Sequence, residues 1–290
     1  MMILQWKSGI ILGIILGRRN FMNLGFCPLA SSSQGNSYLI KSDETVIVLD
    51  AGITGKGLKE NMAKLEMHPR DIDGIVITHE HIDHIKGLGR ILSLSEDSKL
   101  YCSEGTYGGI KDKHKNIPEE KVSIVAQNDT FMIGDIEVTA FEVSHDSAEP
   151  LAFSFKRNGK KISVVTDTGI VTPSIENAIM DSDILIIESN HEVNILLYGR
   201  YPYHVKHRIL SDVGHLSNEL AGECICRYIK AINGEKIPYV FLAHLSKENN
   251  TPVQAVLTVR NILEESRLYV GKDLRMEVIK PNEMGNLVVI

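Results

Sequence analysis

The chain has 290 residues, a net charge of −6, 43% hydrophobic and 23% charged residues. That length fits one large domain or two small ones, and the composition is that of a soluble globular protein rather than a disordered, fibrous or membrane-embedded one. The acidic balance excludes nucleic-acid binding through bulk charge but leaves room for a local basic groove. In chain order, residues 9–17 read G-I-I-L-G-I-I-L-G between Lys7 and Arg18-Arg19. The run is shorter than the ~20 apolar residues that span a bilayer, and no tidy signal-peptide cleavage site follows it. Residues 1–21 are therefore read as an N-terminal extension, disordered or set ahead of a true start at Met22, with a weak membrane-associating segment as the alternative and stable insertion not expected. Beyond it, apolar runs predict strands over 38–40 and 46–49 paired across a turn at 41–45, a helix over 56–65, a buried strand over 75–78 and a helix over 85–94. A strand over 99–102 precedes a glycine-rich stretch and the basic K-D-K-H-K run at 111–115. Residues 131–133 and 136–143 flank Gly134-Asp135 as a hairpin, and 151–155 and 162–166 flank Asn158-Gly159. Strands over 184–187 and 239–243 and amphipathic helices over 216–229 and 253–263 complete a mixed α/β layered domain spanning 22–290, with no Pro/Gly/Ser-rich linker dividing it.

The stretch Thr78 to Gly87 reads T-H-E-H-I-D-H-I-K-G and sets His79, His81, Asp83 and His84 within six residues. Imidazole and carboxylate are the side chains that bind Zn²⁺, Mn²⁺ or Fe²⁺. Histidines at i and i+2 do not share a helix face, so His79 and His81 grip one ion only from a loop or strand end. The Asp83-His84 pair then suits a second ion. A pattern runs through the rest of the chain. Asp50, His79, His145, Asp167, Glu188 and His244 each follow an apolar strand-like run at its C-terminal end, where polar residues of α/β proteins converge on ligands. The four cysteines, Cys27, Cys102, Cys224 and Cys226, form no C-x-x-C pair, which points to a reduced, cytoplasmic protein.

These motifs, in order V-L-D-A-G, T-H-E-H-I-D-H, V-S-H-D, V-T-D-T-G and L-A-H-L-S, resemble those of metallo-β-lactamase-fold hydrolases. The stretches L-A-S-S-S-Q-G-N-S, F-E-V-S-H-D-S-A-E-P, I-E-S-N-H, R-I-L-S-D-V-G-H-L-S-N and H-L-S-K-E-N-N are similar to the WalJ (YycJ) branch. The resemblance implies an αββα sandwich with two divalent ions, Zn²⁺, Mn²⁺ or Fe²⁺, at the edge between its sheets. It implies His79, His81 and His145 on one ion, Asp83, His84 and His244 on the other, Asp167 bridging them and Asp50 orienting a ligand histidine, with Asp83 also counted as a catalytic carboxylate. The expected activity is a dinuclear phosphodiesterase, a 5′-to-3′ exonuclease on DNA that uses a metal-bridging hydroxide. The alternative is a lactone, thioester or cyclic-phosphate hydrolase on the same site. His215 is the expected proton donor, placed at the opening of the helix 216–229, with Glu188 its partner; the bland readings are a capping histidine and an ordinary strand-end carboxylate. Arg200, Lys206 and Arg208, with His207, form a basic stretch for phosphate contact or a solvated helix face. Tyr201 and Tyr203 read as loop or core packing ahead of base stacking. Ser246, Asn249 and Asn250 suit either a terminal phosphate or loop-turn chemistry. His191 either lines the substrate groove or hydrogen-bonds a loop. His68 and His114 read as surface residues, and oligomerisation is left open.

Overall fold

A computed structural model describes residues 24–32, 35–281 and 283–290; the extension expected over 1–21 lies outside them. The chain builds two seven-stranded sheets. The first contains β1 (Gly25–Ala30), β2 (Ser37–Lys41), β3 (Val46–Leu49), β4 (Gly74–Val76), β5 (Lys99–Cys102), β6 (Val122–Ile124) and, at its edge, β14 (Val288–Val289). The second runs from β7 (Thr130–Ile133) through β8 (Ile136–Glu142), β9 (Leu151–Arg157), β10 (Lys160–Val165), β11 (Ile184–Glu188) and β12 (Tyr239–Ala243) to β13 (Arg275–Val278). Each sheet joins an antiparallel half to a parallel one: β3 to β6 run parallel in the first, and β10 to β13 in the second. Short turns join the antiparallel pairs β2–β3, β7–β8 and β9–β10, and helical crossovers the parallel ones.

Three apolar layers hold the sheets. Phe26, Tyr38, Ile40, Ile47 and Leu49 of the first sheet meet Val138, Phe153, Phe155, Val164 and Ile186 of the second in one buried cluster. The outer face of the first sheet packs Leu39, Val48, Ile75 and Leu100 against Leu58 and Met62 of α1 (Gly55–Lys64), Leu88 and Ile91 of α3 (Leu88–Leu94), and Tyr107 and Ile110 of α4 (Glu104–Lys113). The outer face of the second packs Val165, Leu185, Ile187 and Val240 against α5 (Pro173–Ile179), α8 (Asn218–Ile232) and α9 (Pro252–Glu265). The architecture is therefore the expected αββα sandwich. The inner strands β3 and β4 of the first sheet are apolar on both faces because both faces are covered. Each fully buried Leu, Ile or Phe contributes about 1.5–3 kcal/mol.

Two departures from the expected elements position the site. The helix expected over 85–94 is broken into α2 (Ile82–Ile85) and α3. Gly87 sits at the break because its backbone passes the Ile53 carbonyl so closely that a Cβ would lie 1.9 Å from that oxygen. The glycine-rich stretch after β5, for which no element was expected, forms α4, capped by Ser103, whose Oγ accepts from the Thr106 amide. Two short helices, α6 (Val193–Tyr198) and α7 (Tyr203–Ile209), follow β11; α7 carries Lys206, His207 and Arg208, for which a helix face was considered, whereas α6 was not anticipated.

Candidate active site

The strand ends deliver the polar residues as expected. Asp50 and His244 directly follow β3 and β12, Asp167 lies two residues past β10, and Glu188 closes β11. Asp50, Asp167 and His244 all take left-handed backbone conformations, with φ of 61°, 57° and 56°. A non-glycine residue pays on the order of 1–2 kcal/mol for this, and such strain at strand ends turns each side chain out of the sheet toward the common edge. Four groups of donor atoms result, each with its members within 4.8 Å of one another: His79, His81 and His145; Asp83, His84 and His244; His79, His84 and Asp167; and Asp167, Glu188, His215 and His244.

The imidazoles are aimed by what holds their other nitrogen. His84 Nδ1 donates to Asp50 Oδ2 at 2.7 Å. His79 Nδ1 lies 3.0 Å from the Thr78 hydroxyl, which itself donates to Asp50. His145 Nδ1 donates to the Gly214 carbonyl at 3.1 Å, and His244 Nδ1 to Glu188 Oε1 at 2.7 Å. With Nδ1 so engaged, Nε2 is the nitrogen each ring has for the centre, the arrangement that metal-ligating histidines adopt. His81 differs, presenting Nδ1 at 3.3 Å from His145 Nε2. His79 Nε2, His244 Nε2 and Asp167 Oδ2 are buried with no hydrogen-bond partner. Buried polar atoms left unpaired cost about 1–3 kcal/mol each, so the donor set fits a divalent cation better than it fits any protein partner present.

The turn that carries these ligands is tied down through its backbone. The Asn36 amide donates to the Asp83 carbonyl and the Ala51 amide to the His84 carbonyl, at 2.8 and 2.7 Å. Asn36 Nδ2 lies 3.3 Å from Asp83 Oδ2 and 3.1 Å from His84 Nε2. Gly52 makes this approach possible, since a Cβ there would sit 1.7 Å from the Asp83 carbonyl oxygen.

Electrostatics divide the cluster. Burial, reinforced by the neighbouring His84, His145 and His81, holds His79 well below the usual histidine range, and burial likewise lowers His145. Burial would lower His84 and His244 too. For His84, the carboxylates Asp50, Asp167 and Asp83 outweigh it and raise the ring well above its ordinary value; for His244, Asp167, Asp83 and Glu188 do so. Asp83, which burial would raise, is held well below the carboxylate range by His84 and His244.

Glu188 is fully buried and accepts four hydrogen bonds. Oε1 takes His215 Nδ1 at 2.9 Å and His244 Nδ1 at 2.7 Å; Oε2 takes the Thr168 and Leu216 amides at 3.0 and 3.2 Å. Burial alone would raise this carboxyl, but the charge and hydrogen bond of His215, with the hydrogen bond of His244, hold it well below the usual range. His215 does not open the helix as expected. Ser217 caps α8, which starts at Asn218, so His215 stands in the loop before the cap, free of the helical ladder.

The structure places the remaining candidates as follows. Arg208 forks onto Asp146, with Nε to Oδ2 at 2.5 Å and Nη2 to Oδ1 at 2.8 Å, and Asp146 Oδ1 is 3.5 Å from His145 Nε2. Lys206 Nζ holds the Leu197 and Gly199 carbonyls at the end of α6, while Arg200 is exposed. Asn249 and Asn250 are buried. Asn250 Nδ2 bonds the Ser189 and Asn190 carbonyls and Asn218 Oδ1, and Ser246 Oγ accepts from the Asn249 amide. His191 is buried with neither ring nitrogen hydrogen-bonded, so the loop contact considered for it is absent; burial lowers it to about 4. Tyr201 is half-buried, whereas Tyr203 is 82% exposed, contrary to the packing expected of it. His68 is exposed and caps a short 3₁₀ turn, and half-buried His114 bonds the Ile85 carbonyl. Sequence reasoning missed Thr78, Asn36 and Asp146. Each is adjacent to a ligand motif in sequence or lies in a quoted stretch, but their roles depend on contacts made across the fold.

Comparisons with known proteins agree with this geometry. The β-lactamase superfamily domain matches residues 45–237. The chain is 39% identical over 260 residues to the exodeoxyribonuclease YycJ of Bacillus anthracis, covering 90% of this chain and 97% of that one. It is 36% identical over 264 residues to the exodeoxyribonuclease WalJ of Streptococcus pneumoniae, covering 90% and 96%. Among solved structures, the metallo-β-lactamase fold protein YhfI of Bacillus subtilis superposes with a TM-score of 0.67 at 14% identity, over 92% of this chain and 99% of that one. With the sandwich, the donor cluster and these relatives together, the chain belongs to the metallo-β-lactamase superfamily, in the family of YycJ and WalJ, and is a metal-dependent hydrolase.

Proposed function

We propose that the protein is a dinuclear phosphodiesterase that removes nucleotides from DNA exonucleolytically in the 5′-to-3′ direction. The observation that carries this reading is the Glu188–His215 pair set against the donor cluster, His215 Nδ1 being 2.9 Å from Glu188 Oε1 and 3.7 Å from Asp167 Oδ1. The names of the relatives support DNA as the substrate. In this reading His79, His81 and His145 hold one divalent ion and Asp83, His84 and His244 the other. Asp167 touches both donor sets and would be available to either ion, its Oδ2 beside His84 and its Oδ1 beside His244 and His145. When bound, such ions lower the pKa of water and neutralise charge on phosphate oxygens.

The chain's own residues do the rest. Asp50 and Thr78 keep His84 and His79 in the ligating tautomer. Water attacks phosphorus in line, and the bond to the leaving sugar oxygen breaks. That oxygen needs a proton, and with Nδ1 engaged by Glu188, Nε2 of His215 is the nitrogen left to supply it. An alkyl or sugar alkoxide requires this donor, whereas the acyl alternatives have less need of it.

The test is digestion of DNA and RNA labelled at either end, before and after chelation and restoration of Zn²⁺ or Mn²⁺. A 5′ label should leave at once as a mononucleotide, while 3′-labelled strands shorten progressively. Release from the 3′ end first, or digestion of RNA alone, would overturn the reading.

A further inference from the structure

Residues 193–211 contain no acidic side chain in a chain of net charge −6, and they hold Arg200, Lys206 and Arg208 with His204 and His207. This is α6, α7 and the turn between them. Tyr198 is 88% exposed and Tyr203 82% exposed, flanked by part-exposed Ile195, Leu197 and Leu210. Tyr203 lines a groove of about 570 Å³ together with Leu197, Lys206, His207 and Leu210. Large exposed aromatics grouped with apolar neighbours mark an interaction surface. The surface is joined to the site at its C-terminal end. Arg208 grips Asp146, the His215 amide donates to the Ile209 carbonyl, and the Gly214 carbonyl holds His145.

We propose that α6 and α7 form a stacking platform for the unpaired bases of a single-stranded nucleic acid, so that the substrate is drawn into the site as a single strand. The platform rests on the nuclease reading above. Two of its features select this occupant. An aromatic face accepts any base, and cationic neighbours follow the backbone. A second copy of the chain fits less well. Two-fold pairing sets the same patch against itself, which would oppose Arg200 and Lys206 to their own copies with no acidic residue in the segment to compensate. Duplex DNA offers no free base face, so the platform favours frayed or single-stranded ends.

The experiment compares the metal-loaded protein with Tyr203→Ala, Tyr203→Phe and the double variant Tyr198→Ala/Tyr203→Ala. The probes are a single-stranded oligothymidylate, a blunt duplex and bis(p-nitrophenyl) phosphate. Tyr203→Ala should raise KM for the single strand about tenfold, in line with one lost base stack, and Tyr203→Phe should restore it. The loss on the small diester, which has no neighbouring base, should be at least several times smaller. An unchanged single-strand KM in the double variant overturns the platform while leaving the nuclease reading intact. So does a parent dimer that Tyr203→Ala dissociates, which would make the face a self-interface. A parent that cleaves no nucleic acid overturns both.

Discussion

Each sheet contributes one buried carboxylate that organises histidines, and the two are used differently. Asp50, at the end of β3, serves only the cage: Oδ2 takes His84, Oδ1 takes the Thr78 amide, and the Thr78 hydroxyl passes the restraint on to His79. Its dependents all lie within a single stretch of chain, 78–84. Glu188, at the end of β11, holds His244 of the cage and His215 outside it on the same oxygen, and fixes two loop amides with the other. Its dependents come from three separate crossovers. The first hub shapes ligands; the second couples a ligand to the group proposed to move a proton. A lesion at Glu188 should therefore damage binding and chemistry together, and a lesion at Asp50 binding alone.

The largest expected effect is that of Glu188→Gln. All four groups that meet this carboxylate are donors, and an amide replaces one acceptor oxygen by an NH₂ that must face two of them. The variant should lose about a thousandfold in kcat on DNA, within the range of a displaced proton-transfer group, and about 1–3 kcal/mol of stability from unsatisfied buried donors. Full-length activity assays with thermal unfolding and metal content measure all three. If only metal content falls, with turnover per bound ion preserved, the two hubs are equivalent and the contrast is lost.

Asp50→Asn should do less, about 10- to 100-fold in metal affinity or activity, as expected when the partner of a ligating histidine is removed. Because the proposed reading assigns His79 to one ion and His84 to the other, both ion positions should weaken together. Titration with Zn²⁺ or Mn²⁺ reads this directly, and saturating metal should restore most of the turnover. Failure of excess metal to rescue would give Asp50 a part in the chemistry itself.

The same contrast decides what was legible beforehand. The ligands of the first lobe sit within six residues, and no fold is needed to see them as a cluster. Those of the second, His145, Asp167 and His244, were recognisable as strand-end residues only because apolar runs announce buried strands so clearly, as at Ile184–Glu188 and Tyr239–Ala243. What the pattern could not carry was contact between distant loops. Asp146 neutralising Arg208 and the Gly214 carbonyl aiming His145 depend on how α7 returns to the sheet edge. Local rules also assigned no element at α4, where Gly105, Gly108 and Gly109 lower helix propensity. Gly105 and Gly109 lie against Glu149 and Glu80, where a Cβ would approach within 2.7 and 2.4 Å, so packing overrides helix propensity there. The stretch before β2 shows the converse problem: β1 carries Pro28 and a register shift, which hide a fully buried strand.

The smallest expected effect tests whether the two lobes open together. Among the described residues all four cysteines are free and buried. Burial pushes Cys27 and Cys102, on β1 and β5 of the first sheet, and Cys224, on α8 against the second, each up to about 12 from 9.0. Reactive thiolates are therefore withheld in the native state, and a disulfide reagent at pH 8 should label none of the three until the chain opens. The linkage sign follows from the raised values. Below about 9 the thiols are neutral folded and unfolded, and their contribution to stability is complete. Between about 9 and 12 the unfolded chain ionises first, so it binds fewer protons and stability declines as pH rises. Labelling at rising denaturant, read by mass spectrometry of the peptides, distinguishes two outcomes. Simultaneous appearance of Cys27, Cys102 and Cys224 means that the shared core between the sheets binds the lobes into one cooperative unit. Early labelling of Cys27 and Cys102 alone would show that the compact ligand turn belongs to a lobe able to open by itself, and that the cage can be lost while the Glu188 hub stays formed.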